Sequence, residues 1–350
     1  MQTQAYAAPA GDKPFAPITI ERREPGAHDV QIDIAFCGVC HSDLHTARDE
    51  WGHTHYPCVP GHEIVGTVSA TGAEVSGFAV GDTVGVGCLV DSCGHCASCE
   101  QGLENYCETG MTLTYNSDTP DAPGYTLGGY SQRIVVPERF VLKISHPADQ
   151  LAAVAPLLCA GITTYSPLKN WGAGPGKKVG IVGIGGLGHM GIKIAHALGA
   201  HTVAFTSTAD KRQAARDLGA DDVVVSRSEE EMAAQVGSFD LIIDTVAASH
   251  DLDAYVTLLK RDGTLVLLGA PENPHPSPNV MNLIFGRKAI AGSLIGGLPE
   301  TQEMLDFCAE HGIVSEIEMI TAPQIDEAYE RMLKSDVRYR FVIDGATFAA

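Results

Sequence analysis

The sequence predicts an α/β protein made of two kinds of unit, one β-rich and one built on a doubly wound parallel sheet. Three observations carry this. Residues 15 to about 145 run as short Val-, Thr- and Gly-rich stretches broken by turn residues, with no long helical period. From about Gly176, short apolar runs alternate with helical patterns, as in a sheet crossed by helices. Gly183-Ile-Gly185-Gly186-Leu187-Gly188 stands between the first of these runs and the first helical pattern.

Taken in order, the β-rich part offers strands at Val30–Phe36, Glu63–Val68 and Thr83–Val86. A long loop rich in Thr, Asp and Pro, 111–127, is expected over a surface near the cysteine cluster described below. The texture changes near Leu151. The parallel sheet is read from strands at Lys178–Gly183, Thr202–Thr206, Asp222–Val225, Phe239–Val246, Thr264–Leu268 and Ala289–Ser293. Leu187, Met190, Ile194 and Leu198 lie on one face of a helix that Gly199 closes. A helix near 300–311, a strand at 316–320, a helix at 325–333 and a strand at 339–343 are expected to return to the β-rich unit. The expected organisation is therefore 1–152, an inserted unit at 153–292, and a return segment at 293–350.

The chain has 350 residues and a formal net charge of −20. Such a surface repels phosphate backbones, so nucleic acid is not an expected partner, and any phosphate ligand needs a local device. No stretch approaches the roughly 20 apolar residues of a membrane helix, and the N-terminus lacks an export pattern. A cytoplasmic, reducing location without membrane contact is expected, which turns attention to metal for the ten cysteines.

Cys93, Cys96 and Cys99 are followed by Cys107 after seven residues. Four thiolates at this spacing can wrap one tetrahedral zinc in a closed, structural site; free cysteines and an iron–sulfur cluster are the alternatives. His95 lies inside the cluster but is expected to face solvent. Three further pieces can assemble a second site: Cys40-His41-Ser42-Asp43 with His45, Gly61-His62-Glu63, and Cys159. Two sulfurs and one nitrogen leave a fourth position open, as a Lewis-acid zinc requires.

These segments resemble the zinc-dependent medium-chain alcohol dehydrogenases, within them the cinnamyl alcohol dehydrogenase-like group, and there the bacterial broad-specificity NADPH-dependent aldehyde reductases. The resemblance runs over nearly the whole chain. It rests on GVCHSDLH at 38–45, YPCVPGHEIVG at 56–66, CGHCASCEQGLENYC at 93–107, APLLCAGITTYSPL at 155–168 and GIGGLGHMGIK at 183–193. It implies a GroES-like catalytic domain, a Rossmann NADP-binding domain and two zinc ions per chain. It also implies catalytic zinc ligands at Cys40, His62 and Cys159, with Glu63 a nearby, exchangeable ligand. Asp43 would orient the His62 imidazole, Ser42 would meet the substrate oxygen and His45 would end a proton relay. His41 and Thr163 would contact the cofactor, and Trp51, Cys88, Leu294 and Ile295 would line the substrate pocket. Plant relatives are expected to carry aromatic residues near positions 112 and 294, where this chain has Thr112 and Leu294. That departure favours a broad range of aldehydes. His53 and His55 are expected at the rim. Cys37, Cys58, Cys88 and Cys308 are expected to be reduced and mostly packed. A homodimer is expected, as is usual in the group.

In the glycine motif, Gly183 permits the tight turn, Gly185 lets a pyrophosphate approach the backbone, and Gly188 lets the helix pack on the strand; Gly186 and Leu187 complete the loop. An NAD site usually has an acid near the end of the second strand. Here that strand ends in Thr206, Ser207 and Thr208, with Lys211 and Arg212 soon after. A carboxylate about 4 Å from a 2′-phosphate would cost on the order of 4 kcal/mol per charge pair at a surface-like dielectric. Hydroxyls and a lysine there favour NADP(H); the resemblance implies that Ser207, Thr208 and Lys211, with Arg212 after them, meet the 2′-phosphate, and Asp210 is expected to cap the helix that starts there. The implied reaction is reduction of an aldehyde by NADPH, the proton arriving through Ser42, the ribose hydroxyl and His45. An NAD-linked polyol dehydrogenase and a non-catalytic nucleotide-binding redox sensor are the competing readings.

Overall fold

A computed structural model describes residues 1–349 of the chain. By internal contacts it divides into two compact units, Met1–Cys159 joined by the segment from Gly296 onward, and Ala160–Ile295. Residues 153–159 thus lie in the first unit and 293–295 in the second, on the other side of the boundaries read from sequence. The reason is local: the 3-10 turn Ala155–Leu158 is wholly buried and packs on the main sheet of the first unit.

The first unit begins with β1 (Gln2–Ala7), β2 (Ala16–Glu21) and β3 (Asp29–Val39). After α1 (His41–Ala47) come β4 (Ile64–Thr71), β5 (Thr83–Val86), β6 (Leu89–Asp91), α2 (Ala97–Glu100), β7 (Thr112–Leu113), β8 (Arg133–Pro137), β9 (Leu142–Lys143) and α3 (Leu151–Val154). The seven residues of α1 are too few to show a helical period, which is why this region reads as loop in the sequence.

The second unit holds α4 (Ala160–Asn170), β10 (Lys178–Val182), α5 (Gly188–Ala197), β11 (His201–Thr206), α6 (Arg212–Asp217), β12 (Asp222–Val225) and α7 (Glu229–Ala233). It continues with β13 (Phe239–Asp244), α8 (Asp253–Val256), β14 (Leu259–Leu267), α9 (Val280–Ile284) and β15 (Ala289–Gly292). These strands form one parallel sheet in the order β12-β11-β10-β13-β14-β15. The order reverses at β10, the strand that leads into the glycine motif, which is the switch point where such sheets bind ligands. Val203, Phe205, Ile242 and Leu265 lie in the core under it, all essentially inaccessible.

The return segment supplies α10 (Leu298–Glu310), β16 (Ile317–Ile320), α11 (Ile325–Leu333) and β17 (Arg340–Asp344) to the first unit. Strand β17 pairs antiparallel with β3, which extends the sheet to β16-β17-β3-β4-β5-β9 with β8 also on β3. The expected return is thus a pair of strands added to one edge. Among the described residues no single helix is long and apolar enough to cross a membrane, although the bent pair 148–158 and 160–170 passes that test when taken together.

Candidate metal and cofactor sites

The register of β3 with β4 places Cys37 opposite Ile64. Residues leaving the end of β3 and entering the start of β4 are therefore neighbours: Cys40 on one side, His62 and Glu63 on the other. Cys159 arrives from the 3-10 turn packed on the same sheet. One ligand atom from each of Cys40, His62, Glu63 and Cys159 lies within 4.8 Å of all the others. The Cys40 and Cys159 sulfurs are 3.9 Å apart. Two sulfurs on one tetrahedral zinc, each bonded at about 2.3 Å, sit about 3.8 Å apart, so the pair fits that ion.

Asp43 organises this cluster. It is wholly buried. Its Oδ1 lies 3.1 Å from His62 Nδ1 and accepts the Gly61 N–H at 3.1 Å; its Oδ2 accepts the Cys40 N–H at 2.8 Å and the Tyr130 hydroxyl at 3.3 Å. An ionised carboxylate only accepts, so Nδ1 carries the proton and Nε2 keeps its lone pair for the cluster. Gly61 has φ +103°, and a Cβ there would overlap Tyr130, Cys37 and Gly129, so only glycine fits before His62. The His62 ring stacks on the buried Tyr115, with centroids 5.6 Å apart.

Glu63 is buried against Arg340, whose Nη2 donates to Glu63 Oε1 and to the Val39 carbonyl at 2.9 Å. Burial pushes the Glu63 carboxyl up to about 7, with Arg340 opposing. Glu63 Oε2 is buried without a hydrogen-bond partner. The sequence reading missed Arg340, Tyr130 and Tyr115. Ser42 lies 3.7 Å from the Cys40 sulfur. His45 Nδ1 lies 2.5 Å from Glu50 Oε2, a partner also unforeseen, and its ring is 5.1 Å from that of Trp51. His41 is exposed on the first turn of α1. His55 stacks on Tyr125 at 4.8 Å and meets Asp118 of the long loop, while His53 is exposed; neither joins a metal-sized cluster.

The second cluster is Cys93, Cys96, Cys99 and Cys107, again within 4.8 Å of one another. The Cys93 and Cys99 sulfurs are 3.9 Å apart, the same tetrahedral edge. Backbone N–H groups of Cys93 and Glu108 donate to the Cys107 and Cys96 sulfurs, each at 3.4 Å. The His95 amide, helped by Thr109 and Cys96, draws the Cys93 thiol down to about 5. A loop that gathers four sulfurs and turns backbone N–H groups toward two of them suits a cation. His95 is exposed, as expected, and its Nδ1 lies 2.7 Å from the Cys93 carbonyl oxygen. All ten cysteines are free.

In the second unit the three motif glycines divide the work. Gly183 has φ +89°, a Cβ on Gly188 would overlap the Gly183 carbonyl, and nothing approaches a Cβ built on Gly185. The open face at Gly185, beside Gly186 and Leu187 at the start of α5, is where a pyrophosphate can meet backbone N–H groups. Ser207 and Thr208 are exposed past the end of β11, with Lys211 closing the next 3-10 turn. Asp210 lies within that turn, and Thr208 is its N-cap, which corrects the capping role expected of Asp210. Hydrogen bonding to the Thr208 hydroxyl holds Asp210 low. Arg212 donates to Glu231 and to the Val223 carbonyl, so it is engaged within the fold.

Among the expected pocket residues, Trp51 is exposed and Cys88 half-buried in the first unit; Leu294 is exposed and Ile295 buried in the second. Thr163 is buried in α4. A cavity of about 170 Å³ in the first unit is lined instead by Arg22, Arg23, Asp121, Tyr125 and Thr112, and contains none of the four.

Comparison with known proteins decides the family. Residues 26–146 match the alcohol dehydrogenase GroES-like domain, and residues 186–310 match the zinc-binding dehydrogenase domain. The chain belongs to the zinc-binding alcohol dehydrogenases. Within this family it is 69% identical to aldehyde reductase YahK of Escherichia coli over 99% of both chains. It is 54% identical to NADP-dependent alcohol dehydrogenase C 1 of Mycolicibacterium smegmatis over 98% of both. Two solved alcohol dehydrogenases share its fold. A cinnamyl alcohol dehydrogenase from Sorghum bicolor superposes with a TM-score of 0.94 at 44% identity, covering 99% of this chain and 98% of its own. One from Helicobacter pylori, complexed with NADP(H), does so with 0.91 at 40% identity, covering 99% of both. This alcohol dehydrogenase thus stands in the cinnamyl alcohol dehydrogenase-like group.

Proposed function

We propose that the chain is a zinc-dependent, NADP(H)-linked alcohol dehydrogenase acting mainly as an aldehyde reductase of broad substrate range. One observation carries the reading: Cys40, His62 and Cys159 converge with metal-ligand spacing, while Glu63 in the same cluster gives one oxygen to Arg340 and keeps the other without a hydrogen-bond partner, so three donors face one ion and the fourth position is one that Glu63 and a substrate oxygen can exchange. A zinc there supplies Lewis acidity toward a carbonyl oxygen, and NADPH supplies hydride. The chain's own residues do the rest. Asp43 fixes the His62 tautomer. Ser42 orients the substrate oxygen and donates to it, and His45 replaces the proton that Ser42 gives up. Glu50 engages His45 Nδ1, which leaves Nε2 to take and give the proton.

Ser207, Thr208 and Lys211 receive the 2′-phosphate, and no carboxylate ends β11 to repel it. His41 and Thr163 serve the cofactor, and Trp51, Cys88, Leu294 and Ile295 serve the substrate. The four cysteines at 93, 96, 99 and 107 hold a structural zinc. The enzyme works in the cytoplasm, without nucleic acid or membrane partners. It works as a homodimer, supported by the exposed apolar side chains of α9 and its C-cap, in the segment that leads into the edge strand β15: Val280 is 58%, Ile284 62% and Phe285 83% exposed.

The test is a panel of aldehydes with NADPH and, separately, NADH on zinc-replete protein, followed by nicotinamide absorbance. Turnover of several aldehydes with NADPH preferred is expected, and Cys40→Ser abolishes it. A preference for NADH, or undiminished turnover in Cys40→Ser, refutes the reading.

A further inference from the structure

Asp244 ends β13 and is essentially inaccessible, yet no step above uses it. Its Oδ1 accepts the Val246 N–H at 3.0 Å, and its Oδ2 lies 2.8 Å from His250 Nε2. The other ring nitrogen, His250 Nδ1, lies 2.8 Å from the Ala248 carbonyl oxygen. A carbonyl oxygen can only accept, so Nδ1 carries a hydrogen. An ionised carboxylate can only accept as well, so Nε2 needs a hydrogen too, unless Asp244 supplies it. A neutral histidine beside an ionised aspartate is one hydrogen short of this arrangement. The pair therefore holds one extra proton and is neutral overall. Burial acts in the same sense by raising the Asp244 carboxyl, with the Val246 amide and His250 opposing.

The turn that follows, 245–250, is tied down at three places. The Thr245 hydroxyl and N–H both donate to the Val182 carbonyl, at 2.7 and 3.1 Å. The same hydroxyl lies where a Cβ on Gly183 or Gly188 would touch it, so Thr245 braces the glycine motif. On the far side, the Ser249 hydroxyl donates to the Pro274 carbonyl at 2.9 Å, and the His250 N–H meets His275 Nδ1 at 3.3 Å. The turn thus connects the phosphate-binding loop to the segment after β14, at the carboxyl ends of the parallel strands.

We propose that Asp244 and His250 form a one-proton latch that holds the 245–250 turn in the shape that accepts NADP(H). The proposal rests on the reading of the second unit as an NADP(H) site. Other titratable groups facing the pair are His275, from the segment after β14, and Tyr255 of α8, whose ring meets His250 edge-on at 5.8 Å. The strands beside β13 present Val182 and Leu267, which are apolar. Burial holds the Tyr255 phenol up at about 12, so it stays neutral through the working range. The proton-bound latch is the binding form. Tight binding is present below the pair's pKa and is lost as pH rises through it, because two acceptors then face each other across one ring and a negative charge appears beside an anionic cofactor.

The experiment compares NADPH dissociation constants of the wild type and Asp244→Asn by fluorescence titration of zinc-replete protein over roughly pH 7 to 10. Asparagine keeps both bonds without a titratable proton, accepting from Val246 and donating to a neutral His250. Near-equal affinities are expected at the low end. The wild-type-to-variant ratio then rises with pH, by up to about tenfold per pH unit. A ratio that stays constant over the range overturns the latch. If Asp244→Asn does not fold, His250→Gln serves: its amide donates to an ionised Asp244 at every pH, so its NADPH affinity should start below that of wild type and stay level while that of wild type falls, and a pH-independent ratio again overturns the proposal. Wild type that binds no NADPH at any pH overturns the cofactor reading and the latch together.

Discussion

Asp43 accepts hydrogen bonds from four donors on three separate stretches of chain, and Arg340 bridges Glu63 to the Val39 carbonyl. These two residues hold Cys40, His62 and Glu63, two of the three proposed ligands and the exchangeable one, without being ligands themselves. Substituting Asp43→Asn turns donor toward donor and releases the His62 tautomer, so zinc affinity should fall by about 10- to 100-fold, read by competition with a chromophoric chelator. Unchanged affinity would show that the carboxylate does not orient the ligand. Substituting Arg340→Leu strands a buried carboxylate, which costs about 3–5 kcal/mol in urea unfolding, and Arg340→Lys should recover part of it. Cys40, His62 and Cys159 were legible because cysteine and histidine beside glycine turns carry a recognisable pattern. Arg340 was not: it lies 277 positions from Glu63, and an arginine at the start of a short strand has no local signature of its partner. Glu50 was missed for another reason, since a carboxylate five residues past a histidine is ordinary helix-surface chemistry until the turn at the end of α1 brings the two together.

Among elements, the 93–107 lobe shows how little regular structure the cysteine cluster needs. Its one α-helix, α2, has four residues, a 3-10 turn at Glu104–Tyr106 adds three, and among 93–107 only Cys99 and Asn105 are buried. Such a lobe has no core to fold around, so its order depends on the cation. Chelation should therefore open it to proteolytic cleavage between residues 93 and 111 while the parallel sheet of the second unit resists. Equal resistance of the lobe before and after metal removal would contradict a structural zinc. Five of the six parallel strands were read from sequence to within two residues at each end, because buried strands bounded by Gly and polar turns leave continuous apolar runs; β14 begins at Leu259, five residues before the reading, because Lys260, Arg261 and Asp262 break its apolar run. Helix α1 was not read, being shorter than two helical turns, and neither were α2 and the 3-10 turn before Cys159. The domain boundary moved for the same reason, since a short apolar segment does not reveal which sheet it will cover.

At the scale of the molecule, a net charge of −20 means that an anionic cofactor is bound against the overall field. The local devices proposed to overcome it are the open backbone at Gly185, the hydroxyls and Lys211 after β11, and the proton assigned to the Asp244–His250 pair. The same charge opposes association, so the proposed dimer needs apolar surface such as that of α9 and Phe285. Phe285→Asp should accordingly shift the sedimentation coefficient from dimer to monomer without loss of the fold. The central claim is that three ligands from separate parts of the chain hold one reactive zinc. Diffraction from zinc-loaded crystals, recorded on both sides of the zinc absorption edge, tests it most directly. Two anomalous peaks per chain are predicted, one among Cys93, Cys96, Cys99 and Cys107, the other about 2.3 Å from the Cys40 and Cys159 sulfurs and about 2.0–2.1 Å from His62 Nε2. A map with no peak among Cys40, His62 and Cys159 would contradict the account.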